Sequence, residues 1–400
     1  MNLHFHNRNR GFTIIELLVV VSIIGLLLAL LVPAIGKARD SALQTQSLSN
    51  LRNLGAACNN YGAAWSDRQL TLMYDDFAAN ITSLSKTCGK DYYAKTGSCP
   101  PSLIVGFGGY SSNACGSGYG LWAYWTPCQA GVGDWANVMY ELPFVCTETW
   151  SDPGTDGNGL WRLPNIQNFN QYVGGKFYDK AFYAPKDKVN LDRAAPAFEK
   201  GDDYTQICNL PDKWVPSTYG FSPAGMWSSE VFNAVNGVLN FGGSLPPALF
   251  RSPPASGARF PELKTRMLEV WWLQNKEGSE FNPKFAGNYT PYYFNESFTS
   301  APCTLFYDGH ISIAGAGDSM DGNATVTASN IESGLAMKEP GLFASKTLSN
   351  MPGPWGTYGG FFTGPDGKAG ADFNYDTQVN TSYHIFTVGG ITGRDFLTVK

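Results

Sequence analysis

Residues 11 to 33 read Gly11-Phe-Thr-Ile-Ile-Glu16-Leu-Leu-Val-Val-Val-Ser-Ile-Ile-Gly-Leu-Leu-Leu-Ala-Leu-Leu-Val-Pro33, and this stretch decides how the rest of the chain is read. Phe12 to Val32 is 21 residues, close to the roughly 20 apolar residues with which a helix spans a ~30 Å hydrocarbon layer. Its one charge is Glu16. A carboxylate at the bilayer centre costs on the order of 2.5–3.5 kcal/mol, less near the interface, so Glu16 calls for a partner. Cutting the chain after Gly11 would create one, because the freed amine of Phe12 becomes a cation in the depth range of Glu16. It can then pair with Glu16 of a neighbouring copy. The preceding residues, His4-Phe-His-Asn-Arg8-Asn-Arg10, are basic. A secretory signal peptide would carry its small-residue cleavage site after the apolar run, whereas Gly11 comes before it. An uncleaved signal anchor shares the same flank.

In these residues the chain resembles the type IV pilins and type II secretion pseudopilins. Such proteins carry a short basic leader ending in Gly, then Phe-Thr-Leu-Ile-Glu-Leu or a close variant, with Glu fifth after the cut. Gly11, Phe12 and Glu16 stand at those places, and Pro33 falls where the family often kinks its helix. The resemblance implies leader removal between Gly11 and Phe12, N-methylation of Phe12, and assembly through Glu16. It implies as partners other pilin or pseudopilin subunits, the prepilin peptidase/N-methyltransferase and the inner membrane. The N-terminus would be cytoplasmic and the body extracytoplasmic, with display on a filament or the cell surface. No enzyme activity is implied.

The organisation that follows is a leader over 1–11, an assembly helix over 12–33, an amphipathic spine over 34–66 and a β-rich body over 67–400. An irregular Cys-rich insertion occupies about 71–159. Leu48, Leu51, Leu54, Cys58, Tyr61 and Trp65 recur at spacings of three and four, the stripe of an amphipathic helix continuing beyond Pro33. Leu48-Ser-Asn-Leu-Arg-Asn-Leu-Gly-Ala-Ala-Cys-Asn-Asn-Tyr61 further resembles the corresponding region of the pseudopilin-like group known by an H-X9-DG motif. Its Asp-Gly is Asp308-Gly309, and Phe298 stands where the motif places His.

Charged residues are 15% of the chain, aromatics 14%, and Gly numbers 45, a composition suited to an all-β or α+β extracytoplasmic body with many turns, and with the long N-terminal helix the fold class expected is α+β. The net charge of −5 becomes −7 once Arg8 and Arg10 leave with the leader, which argues against a nucleic-acid partner. Eight cysteines without a Cys-x-x-Cys pair argue against a zinc ribbon. Outside the cytoplasm an even count favours disulfides, drawn from Cys88, Cys99, Cys115, Cys128, Cys146, Cys208 and Cys303, with pairing open.

Within the body, Cys303-Thr-Leu-Phe-Tyr-Asp308-Gly309-His-Ile-Ser-Ile predicts a hairpin with a two-residue type I′ turn at Asp308-Gly309. Thr218 to Phe221 reads as a strand and Phe260 to Leu273 as a short surface helix, while Lys180 to Asp187 resembles the place where the same group has a short strand running into a Cys-Pro-x-Asp turn, with Ala184 where the Cys would be. Tyr383–Val388 and Ile391–Val399 read as a second strand pair about Gly389-Gly390.

No cofactor is required. Calcium is the ion to which Asp372, Asn374 and Asp376 are suited, and after them the acidic loops Asp152–Gly159 and Asp318–Asn323, although tight turns use the same residues. His310 and His384 lack any nucleophile-elbow context, which leaves little room for a triad. Trp122, Tyr124, Trp125 and Trp135 suit either a lobe core or a sugar-stacking face. The alternative to a filament subunit is therefore an anchored extracytoplasmic binding module, for glycans in the first instance.

Overall fold

A computed structural model describes residues 13–70, 79–80, 88–98, 103–109, 119–124, 164–176, 178–198, 217–226, 228–230, 234–235, 238–239, 251–269, 301–333, 342 and 387–399. The architecture is α+β: one long N-terminal helix and a body with a small antiparallel sheet. Two compact units divide it, Met1–Thr45 and Gln46–Lys400.

The first unit holds the start of helix α1, Ile14–Ala64, which contains Pro33. Pro33 has no N–H to give the carbonyl of Ala29, yet the helix continues through it. Twenty residues from Leu17 to Gly36 carry no charge. The hydroxyl of Ser22 turns back to the carbonyl of Leu18 at 2.7 Å, so the segment's one hydroxyl is satisfied within the helix.

In the second unit the rest of α1 lies against the sheet. Ser47, Leu51, Leu54, Cys58 and Tyr61 are buried, which is the expected stripe shifted by one residue at its start. Trp65 departs from the expectation: it is 44% exposed, although its ring stacks on Tyr61 at 5.8 Å. Gly55 lets the helix approach closely, since a Cβ there would sit 3.2 Å from Leu305 Cδ2.

The sheet runs β3 (Tyr219–Phe221), β6 (Thr265–Glu269), β7 (Cys303–Phe306), β8 (Ile311–Ile313), every neighbouring pair antiparallel. Two short pairs stand apart from it, β1 (Leu103–Gly109) with β2 (Tyr119–Tyr124), and β4 (Ala234–Val235) with β5 (Val238–Leu239). Fully buried Phe169, Phe182, Tyr183 and Tyr219 fill the core, Phe169 meeting Phe221 edge-on at 5.9 Å.

Strand β6 corrects the expected surface helix over 260–273. Its residues Thr-Arg-Met-Leu-Glu are buried throughout, because the Glu269 carboxylate, the Arg266 guanidinium and the N–H of Thr265 find partners far away in sequence. Glu269 accepts from the hydroxyl of Ser47 at 2.5 Å and from the backbone N–H of Cys303 at 3.0 Å. Lys264 and the N–H of Thr265 both reach Asp395, at 2.9 Å each. A helix over these residues would strand those groups in the core.

Cys303 is likewise corrected. It is a buried free thiol, as is Cys58, since its place in β7 seals the sulfur beside Glu269 and Ser47. Cys88 opens the helix Cys88–Thr96, but its side chain, like Cys99, Cys115, Cys128, Cys146 and Cys208, lies outside the described residues.

The hairpin at Asp308-Gly309 is present with a different turn. Register pairs Leu305 with Ile311, and the N–H of Phe306 bonds the carbonyl of His310 at 3.0 Å, leaving Tyr307, Asp308 and Gly309 as a three-residue loop. Gly309 alone takes positive φ, +89°, and its N–H closes on the carbonyl of Phe306 at 3.1 Å. This is a type I turn followed by a left-handed residue, the other common hairpin solution. Asp308 stays at negative φ because its carboxylate is used locally, accepting from the backbone N–H of His310 at 3.0 Å.

Three further expectations change. Lys180–Phe182 is a 3-10 turn capped by Asp179, whose Oδ1 accepts from the N–H of Ala181 at 2.8 Å. Gly390–Thr392 is also a 3-10 turn, so no second strand follows it. Asp318 and Asp321 lie on the helix Ala316–Glu332, not in a calcium loop. Turn-forming residues accept helix there because Gly322 admits Leu397, whose N would lie 3.3 Å from a Cβ, and because Asn323 Oδ1 accepts from the N–H of Leu342 at 2.8 Å. Asp372, Asn374 and Asp376 lie outside the described residues.

Candidate assembly site in the N-terminal helix

A helix start leaves its first amides without intrahelical acceptors. Here Thr13 and Glu16 answer that need together. Glu16 Oε2 accepts from the N–H and from the hydroxyl of Thr13, both at 2.9 Å, while the hydroxyl of Thr13 accepts from the N–H of Glu16 at 3.3 Å. This is a reciprocal capping box, with Thr13 as the cap and Glu16 three residues on. A carboxylate in the first turn also faces the positive end of the helix dipole. Thr13 had no role in the sequence reading, although Thr-x-x-Glu before an apolar run was there to be read.

The capping uses one oxygen of Glu16. The other, Oε1, accepts no hydrogen bond among the described residues and is exposed with the rest of the side chain. Gly11 and Phe12, the expected cleavage and methylation pair, lie outside the described residues.

Beyond Glu16 the helix presents apolar side chains around its whole circumference. Every Leu, Ile and Val from Ile14 to Ile35 is exposed, Leu26 by 65%. The segment's mean hydropathy of 3.0 makes α1 long and apolar enough to cross a membrane. Exposed apolar surface on this scale demands lipid, or other helices, as its surroundings.

The prokaryotic N-terminal methylation motif matches residues 6–32, the span that holds Gly11, Phe12, Thr13 and Glu16. The chain is also similar to the type IV major pilin protein PilA of Myxococcus xanthus (strain DK1622), 40% identical over 77 residues. That similarity covers 19% of this chain and 32% of PilA, so the chain matches about a third of its relative's length. No solved structure matches it. In its matched motif and in its likeness to PilA the N-terminal region is similar to that of type IV pilins, and α1 there is capped, apolar on its exposed surface and long enough to cross a membrane.

Proposed function

We propose that the protein is a pilin-type structural subunit, cut between Gly11 and Phe12, methylated on the freed amine, and built into a type IV pilus or type II secretion pseudopilus through α1. The observation that carries this reading is the division of labour at Glu16. Oε2 caps the subunit's own helix through Thr13 and so holds the carboxylate in place, while Oε1 is left to receive a cation. The Phe12 amine of a neighbouring subunit is the cation that the cut would supply at that depth. In apolar surroundings such a pair is favoured only when both charges are present, because an unpaired carboxylate there neutralises. Lateral packing of apolar helices would supply the remaining contact surface. The partners are then other subunits, the prepilin peptidase/N-methyltransferase and the inner membrane. The body faces away from the cytoplasm, and the protein's role is structural, not enzymatic.

The test compares Glu16→Ala with the parent in cells that carry the assembly machinery. Membrane level, leader removal and subunit-to-subunit cross-linking are measured together, with intact mass reporting loss of residues 1–11 and one added methyl. Normal membrane level and normal cleavage with lost cross-links are expected. Identical cross-linking in both proteins, or in neither, would favour the anchored binding module. An unprocessed Met1 terminus in functional material would overturn the cleavage step.

A further inference from the structure

The body contains a cleft unconnected with the assembly helix's exposed surface. It is an open cleft of about 330 Å³, lined among others by Cys58, Asn59, Ala63, Asp67 and Arg266. Three departures from ordinary structure meet there.

The first is Arg266. It is 4% exposed, and its Nε is buried without a hydrogen-bond partner. Its guanidinium donates to one acceptor, Asn59 Oδ1 at 2.8 Å, and lies 5.5 Å from the ring centre of Tyr307. No carboxylate pairs with it among the described residues. A buried cation without a counter-ion is costly, and a guanidinium is shaped to take a carboxylate through two parallel N–H bonds.

The second is the backbone that aims it. Thr265 pairs with Phe306 and Met267 with Leu305, so Arg266 is the extra residue of a bulge. A bulge breaks the alternation of a strand and redirects one side chain, a device common beside binding sites.

The third is Asp67, another residue that lines the cleft. Ser66 and Asp67 take left-handed φ, 54° and 64°, the two non-glycine residues with positive φ among those described. Consecutive strain of this kind persists where surrounding contacts hold it. Here the carboxylate of Asp67 accepts through Oδ2 from the N–H of Ser256 at 3.0 Å and from the Ser256 hydroxyl, and its carbonyl accepts from the N–H of Ala255 at 2.8 Å. Oδ1 of Asp67 accepts no hydrogen bond among the described residues. Ala63, one residue from the end of α1, also lines the cleft, which brings the negative pole of the helix to it.

We infer that this cleft binds a small zwitterion of the amino-acid type, its carboxylate on Arg266 and its ammonium group on Asp67 Oδ1 and the end of α1. A simple anion would meet Arg266 but also the repulsion of Asp67. A simple amine would leave Arg266 unpaired. Only a ligand carrying both charges satisfies both Arg266 and Asp67. The volume suits a small molecule and excludes a folded partner. This inference is independent of the assembly reading and uses none of its residues.

The experiment uses the full chain in detergent micelles with three probes: L-serine, acetate and ethanolamine. Ligand-observed NMR and the melting temperature are followed as each is titrated. L-serine is expected to bind and to raise the melting temperature, acetate to bind roughly tenfold more weakly, and ethanolamine not at all. Arg266→Gln should abolish the L-serine signal. Asp67→Asn, which keeps the left-handed backbone because Asn tolerates it, should remove the preference of L-serine over acetate. The second variant carries the test by itself if the first fails to fold. Absence of L-serine binding, equal binding of L-serine and acetate by the parent, or an unaltered preference in Asp67→Asn would each overturn the inference.

Discussion

Lys264 and Asp395 form an ion pair at 2.9 Å with both side chains wholly excluded from solvent, joining the first residue before β6 to the chain's last turns. Asp395 does more than neutralise the lysine. Its Oδ2 accepts from the N–H of Thr265 at 2.9 Å, its Oδ1 takes the hydroxyl of Thr387, and its own N–H bonds the carbonyl of Leu263 at 2.9 Å. The hydroxyl of Ser319, on the helix Ala316–Glu332, reaches the carbonyl of Asp395. One residue thus ties sheet, helix and C-terminal segment together.

Removing one partner should cost far more than removing the charge from both. Asp395→Ala leaves Lys264 buried with no counter-ion, and a loss of about 3–5 kcal/mol is expected. Lys264→Met combined with Asp395→Asn keeps an acceptor for Thr265 and should recover most of that loss. Denaturation of the full chain in micelles, followed by tryptophan fluorescence, measures both. Equal destabilisation by the single and double variants would show that packing, not charge pairing, dominates there.

Gly309 should resist replacement while Asp308 tolerates it. A β-branched side chain at φ +89° is strained, so Gly309→Val should lower stability by about 1–3 kcal/mol. Asp308→Asn keeps negative φ and an acceptor for the N–H of His310, and should change stability by less than about 0.5 kcal/mol. Comparable melting shifts for the two would argue against the three-residue loop.

Gly225 is predicted to be intolerant for a different reason. It lies at ordinary φ, but a Cβ there would collide with the hydroxyl of Tyr307. That hydroxyl is fixed, donating to Gln69 Oε1 at 2.6 Å, while Gly225's own carbonyl accepts from Gln69 Nε2 at 2.7 Å. Gly225→Ala should cost about 1–3 kcal/mol through overpacking. Tyr307→Phe in the same background should relieve part of it, which a double-mutant cycle would detect.

Alkaline conditions should destabilise the body. Burial pushes the Cys58 and Cys303 thiols and the Tyr219 and Tyr307 phenols above their usual ranges, and the Glu269 carboxylate adds to the effect at Cys303 and Tyr219. These groups keep their protons in the folded state where the unfolded chain would release them. The thiols' contribution is full below their unfolded value near 8.5 and is lost as pH rises beyond it, and that of the phenols is lost in the same way from about 10 upward. Denaturant midpoints should therefore fall steadily from about pH 8.5 upward. Cys303→Ala should flatten that slope, and a midpoint independent of pH there would contradict the burial of these groups. At neutral pH a thiol reagent should leave Cys58 and Cys303 unlabelled until the chain unfolds.

The sequence by itself determined what depends on near neighbours. The uncharged run from Leu17 to Gly36 makes a helix fit for a membrane whatever follows it. The three-and-four spacing of Leu51, Leu54, Cys58 and Tyr61 names that helix's buried face. Asp308-Gly309 between β-formers makes a hairpin. In each case the deciding interactions lie within a few residues, so propensity and period are sufficient. The tertiary structure decided what depends on distant partners. Thr-Arg-Met-Leu-Glu becomes a buried strand only because Ser47, Asn59 and Asp395 stand ready for its polar groups. Asp318 to Asn323 becomes helix only because Leu397 and Leu342 pack on it. Cys303 stays a thiol because β7 turns it into the core. A desolvated polar group is tolerable or ruinous according to its partner, which for Glu269 and Ser47 lies 222 residues away, and no local pattern records where that partner will be.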